Sequence, residues 1–125
     1  MNYLAMELQA GELAPILLGN SDYARTISKR VFGRYGLVSH IFCDRTPFWG
    51  RFSLSAKYHP IAGFETDELL LIALKDFAAG VKNRDLILYL VPGTEALARF
   101  IRRNREQLEQ DFVLADATSL SELFR

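Results

Sequence analysis

The chain has a single cysteine, Cys43, so no internal disulfide framework can form, and a reducing, cytosolic setting fits. It has no charge of either sign to spare. Fifteen Lys and Arg balance fifteen Asp and Glu, which removes any overall attraction to a phosphate backbone or an anionic membrane. No apolar run approaches the ~18–20 residues that span a bilayer. The first residues, Met1 to Gly11, carry Glu7 and lack both a basic leader and a long apolar stretch, so they do not read as a signal peptide. Internal repeats and low-complexity tracts are also missing. What remains is one domain of 125 residues with 50% hydrophobic and 24% charged residues. That is long enough to bury roughly 65–70% of its unfolded surface.

The apolar pattern alternates between strand and helix. Ala14-Pro15-Ile16-Leu17-Leu18 runs into Gly19 and the polar Asn20-Ser21-Asp22, and a helical pattern begins at once. The spacing predicts a strand over Pro15–Leu18 and a helix over Asp22–Tyr35, with Ala24, Ile27, Val31 and Tyr35 on one face. Asn20, Ser21 or Asp22 can cap it, and Gly36 ends it. A second strand is expected over Val38–Cys43. The stretch Asp44–Ser55 holds too many breakers for a long element. Lys57–Ile61 reads as a short strand that Pro60 confines to a sheet edge. A second helix follows Thr66, with Asp67 and Glu68 on its positive end and a stripe of Leu70, Ala73, Phe77 and Val81. Leu86–Val91 is almost wholly apolar, as in a parallel strand covered on both faces. Thr94 then caps a third helix from Glu95, whose buried stripe is Leu97, Phe100, Ile101 and Leu108. Phe112–Ala115 is the fifth strand, and Ser119 to Arg125 resembles the start of another capped helix.

This order predicts an α/β fold: a three-layer, Rossmann-like, doubly wound and mostly parallel sheet of about five strands with helices on both faces. Residues 1–13 read as an extension, 14–118 as the domain and 119–125 as the start of a linker. Ending on Leu123-Phe124-Arg125 leaves apolar side chains uncovered, so a longer parent is expected.

In such sheets ligands bind beyond the carboxyl ends of the strands, where helix N-termini point. The Gly19 turn is therefore the first candidate, and Pro92-Gly93-Thr94-Glu95 lies at the same edge. Against the dinucleotide pattern G-x-G-x-x-G, Gly19 is followed by Ser21 and Ala24, and Asp44 stands 25 positions on, where a ribose partner would lie. Serine at the second position and Asp22 nearby both oppose a pyrophosphate, and a capped turn without a ligand is the plainer reading. His40 and His59, the only histidines, have no metal-ligand spacing around them. Cys43 has no partner base and reads as a buried thiol. Ser21 lacks the G-x-S-x-G elbow of hydrolases. Arg99, Arg102, Arg103 and Arg105, with Glu106 and Glu109 close by, read as a solvated helix face. Phe48, Trp49 and Phe52 interleave with Arg45 and Arg51, a composition suited to stacking a base, gripping a partner, covering the sheet edge or packing on another domain, the last being the expectation.

Three segments carry a family resemblance: Pro15-Ile16-Leu17-Leu18-Gly19 with Ala24-Arg25, Tyr35-Gly36-Leu37-Val38-Ser39, and Leu88-Tyr89-Leu90-Val91-Pro92-Gly93-Thr94-Glu95 leading to Phe112-Val113-Leu114. Together they resemble the N-terminal domain that precedes the ATP-grasp fold in carboxylate–amine ligases, of the D-aspartate-ligase-like and carbamoyl-phosphate-synthase-like kind. The resemblance covers most of the chain from Ala14. It implies that ATP and Mg2+ are bound mainly outside this chain, on a C-terminal ATP-grasp domain, and that this domain lends loops to the acceptor and carboxylate site. Carried over by position, Gly19, Asn20, Ser21, Thr94 and Glu95 would stand near a small-molecule substrate, with no catalytic or metal residue in the chain. Gly93 departs from the family, which more often has a side chain there, and so does Asp22, where a glycine-richer loop is common. The chain by itself is expected to be inactive and cytoplasmic, with no nucleic-acid or membrane partner. A homodimer and a stand-alone nucleotide-binding or protein-interaction domain are the alternatives.

Overall fold

The computed structural model describes residues 12–115; the expected extension up to residue 11 and the expected helix at 119–125 lie outside them. Five strands form one sheet: β1 (Leu13–Leu18), β2 (Ser39–Cys43), β3 (Ala56–Pro60), β4 (Ile87–Pro92) and β5 (Phe112–Leu114). All pairings are parallel and the order is β3-β2-β1-β4-β5. This is the Rossmann-like, doubly wound arrangement, parallel throughout rather than mostly. The helices are α1 (Asp22–Tyr35), α2 (Asp67–Gly80), α3 (Glu95–Arg103) and the single turn α4 (Arg105–Leu108). Among the described residues no helix is long and apolar enough to cross a membrane.

Strand alternation splits the core in two. Ala14, Ile16 and Leu18 of β1 face α2 and α3, with Leu70, Leu74 and Phe100 above them. Leu13 and Leu17 face the other way, onto Ala24, Ile27 and Val31 of α1. A proline in a central strand normally costs a ladder bond. Here the lost bond falls at the very start of the pairing with β2. Gly93 donates to the Leu18 carbonyl, Ile87 to the Glu12 carbonyl and Gly19 to the Phe42 carbonyl. Even-numbered β1 residues therefore bond to β4 and odd ones to β2. Pro15 faces the β2 side and stands level with Ser39, the first residue of β2. The expected strand at Val38 accordingly begins one residue later, at Ser39: Pro15 offers no N–H to the Val38 carbonyl.

Other boundaries shift for equally local reasons. β1 begins at Leu13, ahead of the expected Pro15, and β3 runs Ala56–Pro60 at the sheet edge. On α2 the buried line is Leu70, Leu74 and Ala78, whereas Ala73 and Phe77 are half-buried, so the expected stripe was rotated to its margin. Thr66 stands at the N-cap of α2 but makes no side-chain capping bond. The expected third helix breaks at Asn104, whose side-chain amide donates to the Phe100 carbonyl at 2.9 Å, and Leu108 is buried from α4 instead.

The remaining caps follow expectation. Ser21 Oγ accepts from the Ala24 N–H at 3.0 Å, and Thr94 Oγ1 from the Leu97 N–H at 3.2 Å. Ser21→Ala should cost about 1 kcal/mol of unfolding free energy, the usual worth of such a cap. Urea titration of the variant measures it.

Candidate ligand cleft at the switch point

β1 leads through α1 to β2 on one side, and β4 leads through α3 to β5 on the other. The neighbouring β1 and β4 thus form the topological switch, and their carboxyl ends diverge into a crevice. Two glycines make this edge possible. Gly19 adopts φ 91°, a left-handed conformation that side chains disfavour, and donates to the Phe42 carbonyl at 2.7 Å. Gly93 donates to the Leu18 carbonyl at 2.8 Å. A Cβ on Gly93 would stand 2.4 Å from that same oxygen and 2.9 Å from Ser21 Oγ. Glycine at position 93 therefore has a packing cause: the two turns lie against each other with no room between.

The turns open onto a cleft of about 420 Å³. Leu70, Leu97 and Phe100 supply its apolar surface, and Asp44, Glu65, Asp67 and Arg103 its charge. α2 and α3 both present their N-terminal residues to it, since Asp67, Thr94 and Ala96 are in the lining. Arg103 is already committed. Its Nε and Nη2 donate to the two carboxylate oxygens of Asp67 at 2.8 and 2.9 Å, and the Asn104 amide adds a third bond at 3.3 Å. These bonds hold the Asp67 carboxyl below its ordinary range and raise the Arg103 guanidinium above its own. Two carboxylates, Asp44 and Glu65, remain to set the sign of the cleft.

The five residues carried over from the resemblance separate. Gly19 and Thr94 line the cleft. Thr94 Oγ1 accepts from its own helix and keeps a hydroxyl proton to donate. Asn20 turns away: its Oδ1 and its carbonyl accept from Arg25 at 3.0 Å each, and the Tyr58 hydroxyl reaches the same Oδ1 at 3.5 Å. Ser21 is occupied as the α1 cap. Glu95 is exposed and paired with Arg102 at 3.1 Å, outside the lining. Asp44, noted as a ribose partner, does line the cleft with Gly19. Sequence reasoning missed Glu65 and the Asp67–Arg103 pair as cleft residues. Asp67 was legible only as a dipole partner and Arg103 only as part of a basic face, because their pairing spans 36 positions.

Fold geometry also unites the two histidines. They occupy adjacent strands on the α2 face, and His40 Nδ1 lies 2.8 Å from His59 Nε2. One ring must donate and the other accept, so a neutral pair satisfies the contact. His59 stacks on Phe42 at 4.7 Å, and Phe77 closes over both imidazoles. Burial, followed by the repulsion of His59, Lys57 and Arg84, lowers His40 to about 4, and burial and Lys57 lower His59. Cys43 is buried, and burial with the nearby Asp44 pushes its thiol up, as in a structural cysteine. Among the described residues no group of three or more His, Cys, Asp or Glu could hold a metal ion. Nor does the acidic lining of the cleft fit a polyphosphate, whose charge Asp44 and Glu65 would repel. Comparison with protein-family models, with curated proteins and with solved structures returned no match.

Proposed function

We propose that the chain is the substrate-side, N-terminal domain of an ATP-dependent carboxylate–amine ligase, inactive alone, which presents its β1 and β4 turns to a small acceptor molecule. The observation that supports this reading best is the meeting of those turns at one cleft of about 420 Å³, with Gly19 and Thr94 in its wall. In that reaction ATP phosphorylates a carboxylate and an amine attacks the acyl phosphate. A transferring phosphoryl group needs cations around it. The cleft offers instead two carboxylates beyond the Asp67–Arg103 pair, a setting that suits the protonated amine before it reacts. Phosphoryl chemistry and Mg2+ then belong to a partner ATP-grasp domain.

A second reading, a stand-alone dinucleotide-binding domain, draws on the strand order and on Asp44 sharing the cleft with Gly19. Thermal unfolding in the presence of added ligands separates the two. Under the ligase reading, amino acids and small diamines raise Tm saturably, Thr94→Val weakens the effect, and NAD or ATP leaves Tm unchanged. No phosphate is released from ATP by the chain with amino acids. A saturable rise with NAD, tightened by Ser21→Gly, would replace the ligase reading with the second. Phosphate release would overturn the claim that the chain is inactive alone.

A further inference from the structure

The crossover from β2 to β3 carries no α-helix. Residues 44–55 make the connection with one 3-10 turn, Phe48–Phe52, where a Rossmann-like unit usually lays a helix over the sheet. The turn leaves large apolar side chains in solvent: Phe48 and Leu54 are each 78% exposed, Phe52 69% and Trp49 50%. Arg51 lies over the rings of Phe48 and Phe52 at 5.4 and 5.9 Å, and Arg25 over Trp49 at 5.8 Å. Beside the turn runs a groove of about 390 Å³, with Val38 and Leu54 as its aliphatic part and Arg51 and Lys57 as its charged part. No carboxylate is among its lining residues.

We infer that this surface docks an acidic amphipathic helix of a partner protein. Three arguments select that occupant. First, an extended peptide has little to bind. The bonds from Ser39 to the Ser55 carbonyl and from Ile61 to the Cys43 carbonyl fix the alternation of β3, so residues 57 and 59 bond to β2 and 56, 58 and 60 face outward. The Ala56 N–H is taken by Ser53 Oγ at 3.2 Å, and Pro60 has none. One outward donor, at Tyr58, is too few for strand addition, which relies on main-chain bonds. The occupant must therefore arrive with its backbone already satisfied, as a helix does.

Second, the charge is one-sided. Arg51 and Lys57 in the groove would face their own copies in a symmetric pairing of two chains, so a second copy is disfavoured and carboxylates are matched. Third, Leu54 and Val38 offer aliphatic surface, which takes Leu or Phe at helical spacing rather than a stacked base.

Trp49 is the only tryptophan in the chain and lies in the patch, so its emission reports binding there. The probe is a synthetic 16-residue amphipathic peptide with Leu at positions i, i+3, i+4 and i+7 and Glu elsewhere. A Lys-for-Glu version and a single-stranded oligo(dT) serve as comparators. Saturable change of Trp49 emission with the Glu peptide is expected, with affinity reduced at least about tenfold by Arg51→Glu and by Leu54→Asp. Both positions are exposed, so the variants should retain their far-UV circular dichroism and Tm. Silence with the Glu peptide on the unaltered protein, an equal response to the Lys peptide, or tighter binding of oligo(dT) would each overturn the proposal. A concentration-dependent dimer abolished by Leu54→Asp would overturn it in favour of self-association.

Discussion

Gly93→Ala should destabilise the protein by about 3 kcal/mol, at the upper end of what a single added methyl costs in a close-packed site. The new Cβ would stand 2.4 Å from the Leu18 carbonyl oxygen, 2.9 Å from Ser21 Oγ and 3.2 Å from the Gly19 carbonyl oxygen. Two of the three neighbours are backbone and cannot rotate away. Relief requires the β4 turn to withdraw from the β1 turn, which breaks the bond from Gly93 to Leu18 and crowds the Ser21 cap. Urea unfolding of the variant gives the cost. Gly19→Ala is the informative comparison. Its Cβ would meet only the end of the Leu97 side chain, at 2.8 Å, and the strain would come mainly from φ 91°. A loss of about 1–2 kcal/mol is expected there. If Gly93→Ala proved as stable as the unaltered protein, the two turns could not be packed as described, and the cleft they form would have no fixed wall.

Acidification below about pH 6.5 should weaken the fold through its buried histidine pair. His40 titrates near 6.5 when unfolded and at about 4 in the folded chain. A folded pKa below the unfolded one means that, between those values, the unfolded state binds the proton and the folded state does not. Stability is complete above about pH 6.5, declines as the pH falls, and levels off below the folded value. His40 alone should remove about 2 kcal/mol between about pH 7 and pH 5, and His59, shifted in the same direction, adds to the loss. The described charges around the pair add to the penalty. Lys57 on β3 and Arg84 after α2 both repel added positive charge, and Phe42 and Phe77 enclose the rings. Chemical unfolding at the two pH values measures the slope. His40→Phe should abolish most of it, and an unchanged slope in that variant would place the titrating group elsewhere.

The sequence by itself determined the architecture, because its signals are local. Alternating apolar runs such as Leu86–Val91 between capped helical patterns specify a parallel sheet, and turn residues such as Ser21 and Thr94 mark helix starts within one residue. Edge status for β3 was legible in Pro60. Phase errors arose where neighbours in space decide. The buried line of α2 is set by how the helix rests on β1 and β4, and the start of β2 by Pro15 on the adjoining strand.

The candidate site was half legible. Gly19 and Thr94 belong to turns whose position follows from topology, so they were found. Asn20, Ser21 and Glu95 sit in the same turns, yet their side chains bond to Arg25, to the α1 amide and to Arg102. Residue type does not reveal such competition between a ligand and a near neighbour. Only the tertiary structure brought Asp67 to Arg103 and His40 to His59. Their separations of 36 and 19 positions are closed by the crossovers and the strand register, and no local pattern encodes either distance.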